Sequence, residues 1–441
     1  MDPLKDGRAG FIPHTLHLDF RAVDTVVDLF IETQASAIIY ASSAPMTASL
    51  QDHFKIHPIM ELDKLLDVFL DDVQLPSIQS RGSGNDIVMI HNTAGSTSGR
   101  PKAIKYTRQW LDMNARKDVH SVRDGKEVAL RVGSFVHVAE LITSLVQLKN
   151  AACIVLTPWT NFTPNELVQI IKECKINVIH QYASILTRLL KAAPTNPELT
   201  LALQSLKFIV HGGSSIGEKE SNWAMEHGIP LKNVFGLTET GLLMTSKEDN
   251  NVFYPLQFPG LKHEFWPVDE TQDDLTRARL LELVILKESL DCPNPSSCDP
   301  VEGYYRSKDL FEEVHPGAYK YRGRLDDMIK MENARLCDTK YAFFHVTMLE
   351  PHLYSRSSSR PSPVLLVEPF SDTMDIELLK EEIGEKVRLI NKDSYFQERI
   401  EPSHILVVPR GQLPRTLKNN IRRPVVEKIF KEDIDGCFAK S

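Results

Sequence analysis

From about Ile87 to Gly241 the chain alternates short apolar runs of β type with segments of helical periodicity, and this alternation limits the folds open to it. Ile87-Val88-Met89-Ile90 reads as a strand, and so does Ala152-Cys153-Ile154-Val155-Leu156. Thr163-Pro164-Asn165-Glu166 then predicts a capping box with proline in the first helical turn, continued through Leu167, Ile170 and Ile171. Val178-Ile179 is a short buried strand, Ser184 to Ala193 a helix, and Phe208-Ile209-Val210 the next strand. Repeated β-α units imply a parallel sheet covered by helices on both faces, because each crossover lays its helix on the sheet. Ligands of such sheets bind in the crevice at the carboxyl ends of the strands. The segments after Ile90, Val210 and Phe235 each follow a strand and are the candidate binding loops.

A second region starts near Asp326. It holds a strand at Pro363 to Glu368, a helix from Ile376 to Ile390 and a strand at Ile405 to Val408. In the helix, Leu379, Ile383, Val387 and Ile390 share one face. Ser355 to Pro363 is rich in Ser, Arg and Pro and reads as an exposed loop. The 441 residues suffice for two or three domains, and a composition of 42% hydrophobic and 25% charged residues is that of an ordinary globular protein. With 51 Lys and Arg against 59 Asp and Glu, the net charge of -8 argues against a nucleic-acid surface. No apolar run approaches a membrane span, and Met1 to His14 has no signal-peptide core. The end, Phe438-Ala439-Lys440-Ser441, is not a peroxisomal address. Six scattered cysteines without a C-x-x-C pair fit reduced thiols and a cytoplasmic location. Cys292 and Cys298 bracket a Pro/Ser loop, and their spacing reads as chance.

The densest cluster of hydrogen-bond donors is Thr93-Ala94-Gly95-Ser96-Thr97-Ser98-Gly99-Arg100-Pro101-Lys102. Its glycines let backbone N–H groups turn toward one point, and its hydroxyls and lysine add donors there, which suits the oxygens of a phosphate chain. It is not a Walker A loop, because Lys102 is flanked by Pro101 and Ala103 rather than by Gly and Ser/Thr.

The loop resembles the phosphate-binding signature of the adenylate-forming superfamily, which includes acyl-CoA ligases, luciferases and peptide-synthetase adenylation domains. Three further signatures follow in family order. Phe235-Gly236-Leu237-Thr238-Glu239-Thr240-Gly241 resembles Y-G-x-T-E-x-G, Tyr305 to Leu310 resembles Y-x-T-G-D-L, and Gly323 to Ile329 resembles G-R-x-D-D-x-I. The wording from Asp309-Leu310-Phe311 through His315-Pro316-Gly317 to Tyr321 is similar to the fungal adenylate-forming reductases. The resemblance implies an α/β fold with a large N-terminal adenylation domain, residues 1–325 with a shortened start, and a small mobile α+β C-terminal domain, residues 326–441, hinged at Asp326.

It also implies ATP and Mg²⁺ as cofactors and a small carboxylic acid as substrate. The phosphates would lie on Thr93, Gly95, Ser96, Thr97, Gly99 and Lys102 and the adenine on His211, Gly212 and Gly213, with Phe235 and Gly236 also binding the nucleotide. Thr238 would meet the α-phosphate, Glu239 would hold the metal, and Asp309 with Arg324 would bind the ribose. His137 matches the histidine beside the acyl pocket. Amino-acid-activating members place an aspartate next to the preceding phenylalanine. Here Val136 follows Phe135 and no carboxylate comes before Glu140, which points to an aryl, keto or fatty acid. Seen by itself, Glu239 also reads as a carboxylate at a helix start.

The chain departs from the family in several places. Ser98 is an extra residue in the phosphate loop, Lys308 stands where the family has glycine, and Ala334 stands where the fungal branch has glycine. Most members end a late motif with a catalytic lysine where this chain has Asn420, while the fungal branch aligns its lysine with Lys418. No carrier-domain serine motif and no reductase fingerprint follows, so a separate carrier protein or CoA would be the acceptor. The expectation is a stand-alone adenylation unit of fungal secondary metabolism that binds neither nucleic acid nor membrane. Two alternatives are a degenerate adenylation remnant without activity and an α/β-hydrolase. The hydrolase would use Ser215 of Gly213-Ser214-Ser215-Ile216-Gly217 as nucleophile, but this leaves the other signatures unexplained.

Overall fold

The capping box forms as the sequence predicts. Thr163 Oγ1 accepts from Glu166 N at 3.3 Å and Glu166 Oε2 accepts from Thr163 N at 2.6 Å. The computed structural model describes residues 11–16, 23–40, 50–58, 83–93, 102–117, 126–157, 162–213, 216–247, 252–268, 279–325, 328–330, 336–338, 349–354, 364–369, 375–393, 399–414 and 423–439. They fall into two compact units. The first comprises Met1–Thr93, Pro101–Ser307 and Glu312–Tyr321, and the second Ala94–Arg100, Lys308–Phe311 and Arg322–Ser441.

In the first unit, helix α1 (Val23–Glu32) packs Val26 and Phe30 against Leu50 and, around them, Ile38 and Ile56 of the parallel strands β1 (Ala37–Tyr40) and β2 (Lys55–Pro58). Strands β3 (Ile87–Asn92) and β4 (Ala103–Thr107) form a separate antiparallel pair. The sequence pattern places β3 in the parallel sheet, and the structure does not. The segment 93–102 between the two strands is too short for a parallel crossover, which needs a dozen or more residues and usually a helix. Helix α2 (Arg108–Arg116) follows at once, capped by Thr107 Oγ1, which accepts from Trp110 N at 3.1 Å.

The β-α alternation then builds the main sheet. In chain order come β5 (Val128–Arg131), α3 (Val138–Lys149), β6 (Cys153–Leu156), α4 (Pro164–Glu173), β7 (Val178–Tyr182), α5 (Ala183–Ala192), α6 (Pro197–Gln204), β8 (Phe208–Gly212), α7 (Glu218–Glu226) and β9 (Leu231–Leu237). The strands lie parallel in the order β6-β5-β7-β8-β9. Beyond β9 the sheet continues through β10 (Gly241–Ser246), β11 (Val252–Pro255), β12 (His263–Pro267), β13 (Leu280–Ile285), β14 (Tyr305–His315) and β15 (Ala318–Arg324), with antiparallel pairing of β9 with β10, β10 with β11, β11 with β15 and β12 with β13. The whole sheet has the order β12-β13-β14-β15-β11-β10-β9-β8-β7-β5-β6. One core joins Leu130, Ile179, Ile209 and Leu231 of the parallel strands to Leu167, Leu186, Leu190, Leu199 and Leu203 of the helices. Each such fully buried leucine contributes about 1.5–3 kcal/mol relative to exposure.

In the second unit, β16 (Met328–Lys330) pairs antiparallel with β17 (Leu336–Asp338). Strand β18 (Leu349–Tyr354) pairs antiparallel with β19 (Val364–Pro369), which runs parallel to β20 (Ile405–Val407). Every residue of β19 is buried, so apolar groups cover both its faces. Val364 and Leu366 pack with Val426 of helix α9 (Arg423–Ile429), Ile434 of helix α10 (Lys431–Ala439) and Phe430 between the two helices, which are numbered after α8 (Ile376–Asp393). Leu379, Ile383 and Val387 of α8 are buried, as their common face predicts. No described helix is long and apolar enough to cross a membrane.

Candidate active site

The neck of the hydroxyl-rich loop is tied by its first and last described residues. Thr93 N donates to Lys102 O at 3.0 Å, and Lys102 N donates to Thr93 Oγ1 at 3.3 Å, leaving the Lys102 side chain exposed. The strands below are fastened from within. Met89, Ile104, Tyr106 and Trp110 share a core with Val138, Leu141 and Ile142 of α3. His137 is the N-cap of α3, so one apolar cluster sets both the loop neck and the acyl-pocket histidine of the resemblance. The His137 ring meets Tyr182 edge-on, with centroids 6.0 Å apart.

Tyr106 reaches across to the second motif. Its ring stacks on Trp110 at 4.1 Å, and its hydroxyl donates to Thr238 O at 2.6 Å. Burial pushes its phenol well above the ordinary value, and the negative charge of Glu239 adds to that shift. Thr238, Glu239 and Thr240 form the turn joining β9 to β10, with Glu239 half-buried. Glu239 therefore does not sit at a helix start, and a helix dipole does not account for it. The turn is shaped by glycine. Gly241 has φ +74°, and a Cβ there would collide with Asn114 Oδ1. A Cβ on Gly236 would stand 2.5 Å from Gly241 O. Phe235, on β9, packs against Phe253 and Tyr321, with centroids 6.0 Å and 5.6 Å away.

Alongside β9, β8 extends two residues past the predicted Val210. His211 is buried within the strand, Gly212 ends it, and Gly213 leaves it exposed at φ +81°. His211 registers with Asn233 and Gly212 with Val234, so this end lies next to the approach to the Thr238–Glu239 turn.

Glu140 is not a vacant carboxylate. Arg131, the largest fully buried side chain among the described residues, donates through Nε to Glu140 Oε2 at 3.0 Å and through Nη2 to Thr143 Oγ1 at 2.8 Å. Gln147 accepts from Arg131 and donates to Glu127 at 2.9 Å. Nearby, His91 ends up buried with neither ring nitrogen hydrogen-bonded. Burial, with the neighbouring His137 and His14, pushes it down to about 4, so it is neutral at pH 7. Sequence reasoning singled out neither His91 nor Tyr106. Both lie in the apolar strands flanking the loop, where their polarity was the available signal.

In the second unit, Arg324 Nη1 lies 3.4 Å from Asp309 Oδ2, and Asp309 is buried. These two residues, assigned together to the ribose, are adjacent. Lys308, standing where the family has glycine, holds φ +62°. Gly95, Ser96, Thr97, Ser98, Gly99, Ser215, Asp326, Ala334, Lys418 and Asn420 lie outside the described residues.

The chain matches known proteins along most of its length. Residues 8–261 match the AMP-binding enzyme family, and residues 357–441 match the AMP-binding enzyme C-terminal domain. An AMP-binding domain-containing enzyme, iboA, of Amanita muscaria is 28% identical over 429 residues, covering 93% of this chain and 82% of that protein. An adenylate-forming reductase of Serpula lacrymans is 25% identical over 87% of this chain, which spans 36% of its length. Among solved structures, the O-succinylbenzoate coenzyme A synthetase of Bacillus subtilis in complex with ATP and magnesium ion superposes with a TM-score of 0.73. That match has 14% identity and covers 96% of this chain and 86% of the other. The ATP-bound MatB of Rhodopseudomonas palustris also gives 0.73, at 14% identity, covering 98% of this chain and 86% of the other. These likenesses show the fold, and with the family match across more than half of the sequence they establish that the chain belongs to the AMP-binding enzymes of the adenylate-forming superfamily.

Proposed function

We propose that this protein joins a non-amino carboxylic acid (aryl, keto or fatty) to the α-phosphate of ATP, forming an acyl-adenylate and releasing pyrophosphate. The substrate class rests on the pairing of Arg131 with Glu140. An α-amino acid brings an ammonium group, whose burial needs an anionic partner. The first carboxylate after Phe135 in the sequence is Glu140, and it is bound to a buried guanidinium.

In the reaction a carboxylate oxygen bonds to the α-phosphorus while the bridging oxygen to the β-phosphate leaves with its electron pair. Both partners are anionic, so the residues must neutralise charge and align the attack. The loop bounded by Thr93 and Lys102 supplies donors to the phosphates. Thr238 lies by the α-phosphate. The half-buried Glu239 would hold a Mg²⁺ ion, which suits a site with a single carboxylate and would neutralise phosphate charge there. Asp309 accepts from the ribose hydroxyls with Arg324 beside it, His211 to Gly213 border the adenine, and His137 borders the acyl group. Lys418 supplies the cation at the reacting carboxylate, from a C-terminal domain of residues 326–441 that swings at Asp326. CoA or a separate carrier protein takes the acyl group. Fungal secondary metabolism is the proposed setting, in keeping with the fungal origin of the Amanita and Serpula relatives.

ATP–pyrophosphate exchange over aryl, keto, fatty and α-amino acids tests the reading. Exchange with a non-amino acid is expected. Exchange confined to amino acids overturns the substrate class, and ATP binding without exchange for any acid leaves the degenerate remnant as the better description.

A further inference from the structure

Five residues separate Cys292 from Cys298 in the link between β13 and β14, and the chain folds back so that their sulfurs face each other at 3.7 Å. The sequence pattern reads this spacing as chance, and the turn removes that reading. Asn294 Oδ1 accepts from Ser296 N at 3.2 Å, Ser297 N donates to Asn294 O at 2.8 Å and Cys298 N donates to Pro295 O at 3.1 Å. Pro293 and Pro295 remove backbone freedom from the same short segment. On the far side, Asp299 Oδ1 accepts from Val301 N at 2.9 Å and Glu302 N at 2.8 Å. The two thiols are therefore held together by backbone geometry before any bond joins them. Both are partly accessible to solvent. A disulfide at about 2.05 Å needs the sulfurs to close by roughly 1.7 Å, within reach of side-chain rotation.

We propose that Cys292 and Cys298 are a redox pair, oxidised by a peroxide to an intrachain disulfide and restored by thiols. Cys298 attacks first as its thiolate. Its sulfur bonds to one peroxide oxygen, the O–O bond breaks, and hydroxide leaves, giving a sulfenic acid. The Cys292 sulfur then attacks the sulfenic sulfur, the S–O bond breaks, and the oxygen leaves as water with the thiol proton. Two thiols and one hydrogen peroxide thus become one disulfide and two waters. The order of attack follows from the hydrogen bond between the sulfurs, which lowers the Cys298 thiol and raises Cys292. The bond would close a ring directly after Asp291, the buried carboxylate that holds Lys117 and His263.

The test uses the full chain, reduced and then treated with stoichiometric hydrogen peroxide, alkylated and digested with trypsin. Residues 288–306 form one tryptic peptide carrying both cysteines. That peptide should become two hydrogens lighter and resist alkylation before the exposed Cys153 and Cys174 lose theirs, and dithiothreitol should reverse the change. Cys298→Ser should leave Cys292 open to alkylation after the same treatment. A doubly alkylated 288–306 peptide once Cys153 and Cys174 are oxidised overturns the proposal. So does loss of Cys292 alkylation at the wild-type rate in Cys298→Ser.

Discussion

The Tyr106 hydroxyl donates to the carbonyl of Thr238 at 2.6 Å, across 132 residues of sequence. It joins the strand that leaves the Thr93–Lys102 loop to the turn presenting Glu239. Tyr106→Phe keeps the ring and removes the donor, leaving a carbonyl in a part-buried setting short of its partner. Stability should fall by about 1–3 kcal/mol, and the KM for ATP should rise as the turn loosens. Urea unfolding and ATP-dependent exchange measure both, and a variant equal to wild type in each would show that the bond does not position the turn.

Glu239→Gln preserves size and removes the charge proposed to hold Mg²⁺. Exchange should drop by a factor on the order of a hundred, as for loss of one strong transition-state contact. Its dependence on magnesium concentration should shift upward. A rate unchanged across magnesium concentrations would rule out the ligand role.

Gly241 satisfies two demands at once, a φ of +74° and an approach to Asn114 that leaves no room for a Cβ. Gly241→Ala should destabilise the fold by about 2–4 kcal/mol. Adding Asn114→Ala should recover the steric part and leave the backbone part. If the double variant is no more stable than Gly241→Ala, the collision is not a source of the loss.

Lys308 holds a left-handed φ of +62° without glycine's freedom. Lys308→Gly should raise stability by about 0.5–1 kcal/mol, while Lys308→Ala should bring no gain, because the strain lies in the Cβ and not in the charge. Calorimetric melting of the two variants decides the point, and equal gains would assign the effect to the charge.

His91 gives the acid limb of stability a predictable part. Its folded value of about 4 lies below the ordinary 6.5, so between these pH values the unfolded chain binds the proton and the folded chain does not. The contribution is full above pH 6.5 and is lost as the pH falls toward 4, amounting to about 3 kcal/mol. His91→Phe, which cannot titrate, should flatten that part of the curve. It should be near neutral at pH 7, because no hydrogen bond to either ring nitrogen is lost. Parallel pH profiles for the two proteins would show that His91 is not the group responsible.

Local patterns were legible in the sequence because their causes span a few residues. The Thr163–Glu166 capping box, the face of Leu379, Ile383 and Val387, and the strands at Cys153–Leu156, Val178–Tyr182 and Phe208–Gly212 follow from periodicity and nearby hydrogen bonds, and the ordered motifs named the family. What the chain does with distant residues was decided by tertiary structure. The hairpin of β3 and β4, set outside the parallel sheet, depends on which strand captures β3, and an apolar run of four residues does not encode its partner. In the sequence Glu140 was only the first carboxylate after Phe135, and folding alone brought Arg131 against it. Cys292 and Cys298 read as chance until the turn faced their sulfurs. A side chain's charge, reactivity and partners depend on which groups share its burial, and that is set by packing of segments far apart in sequence.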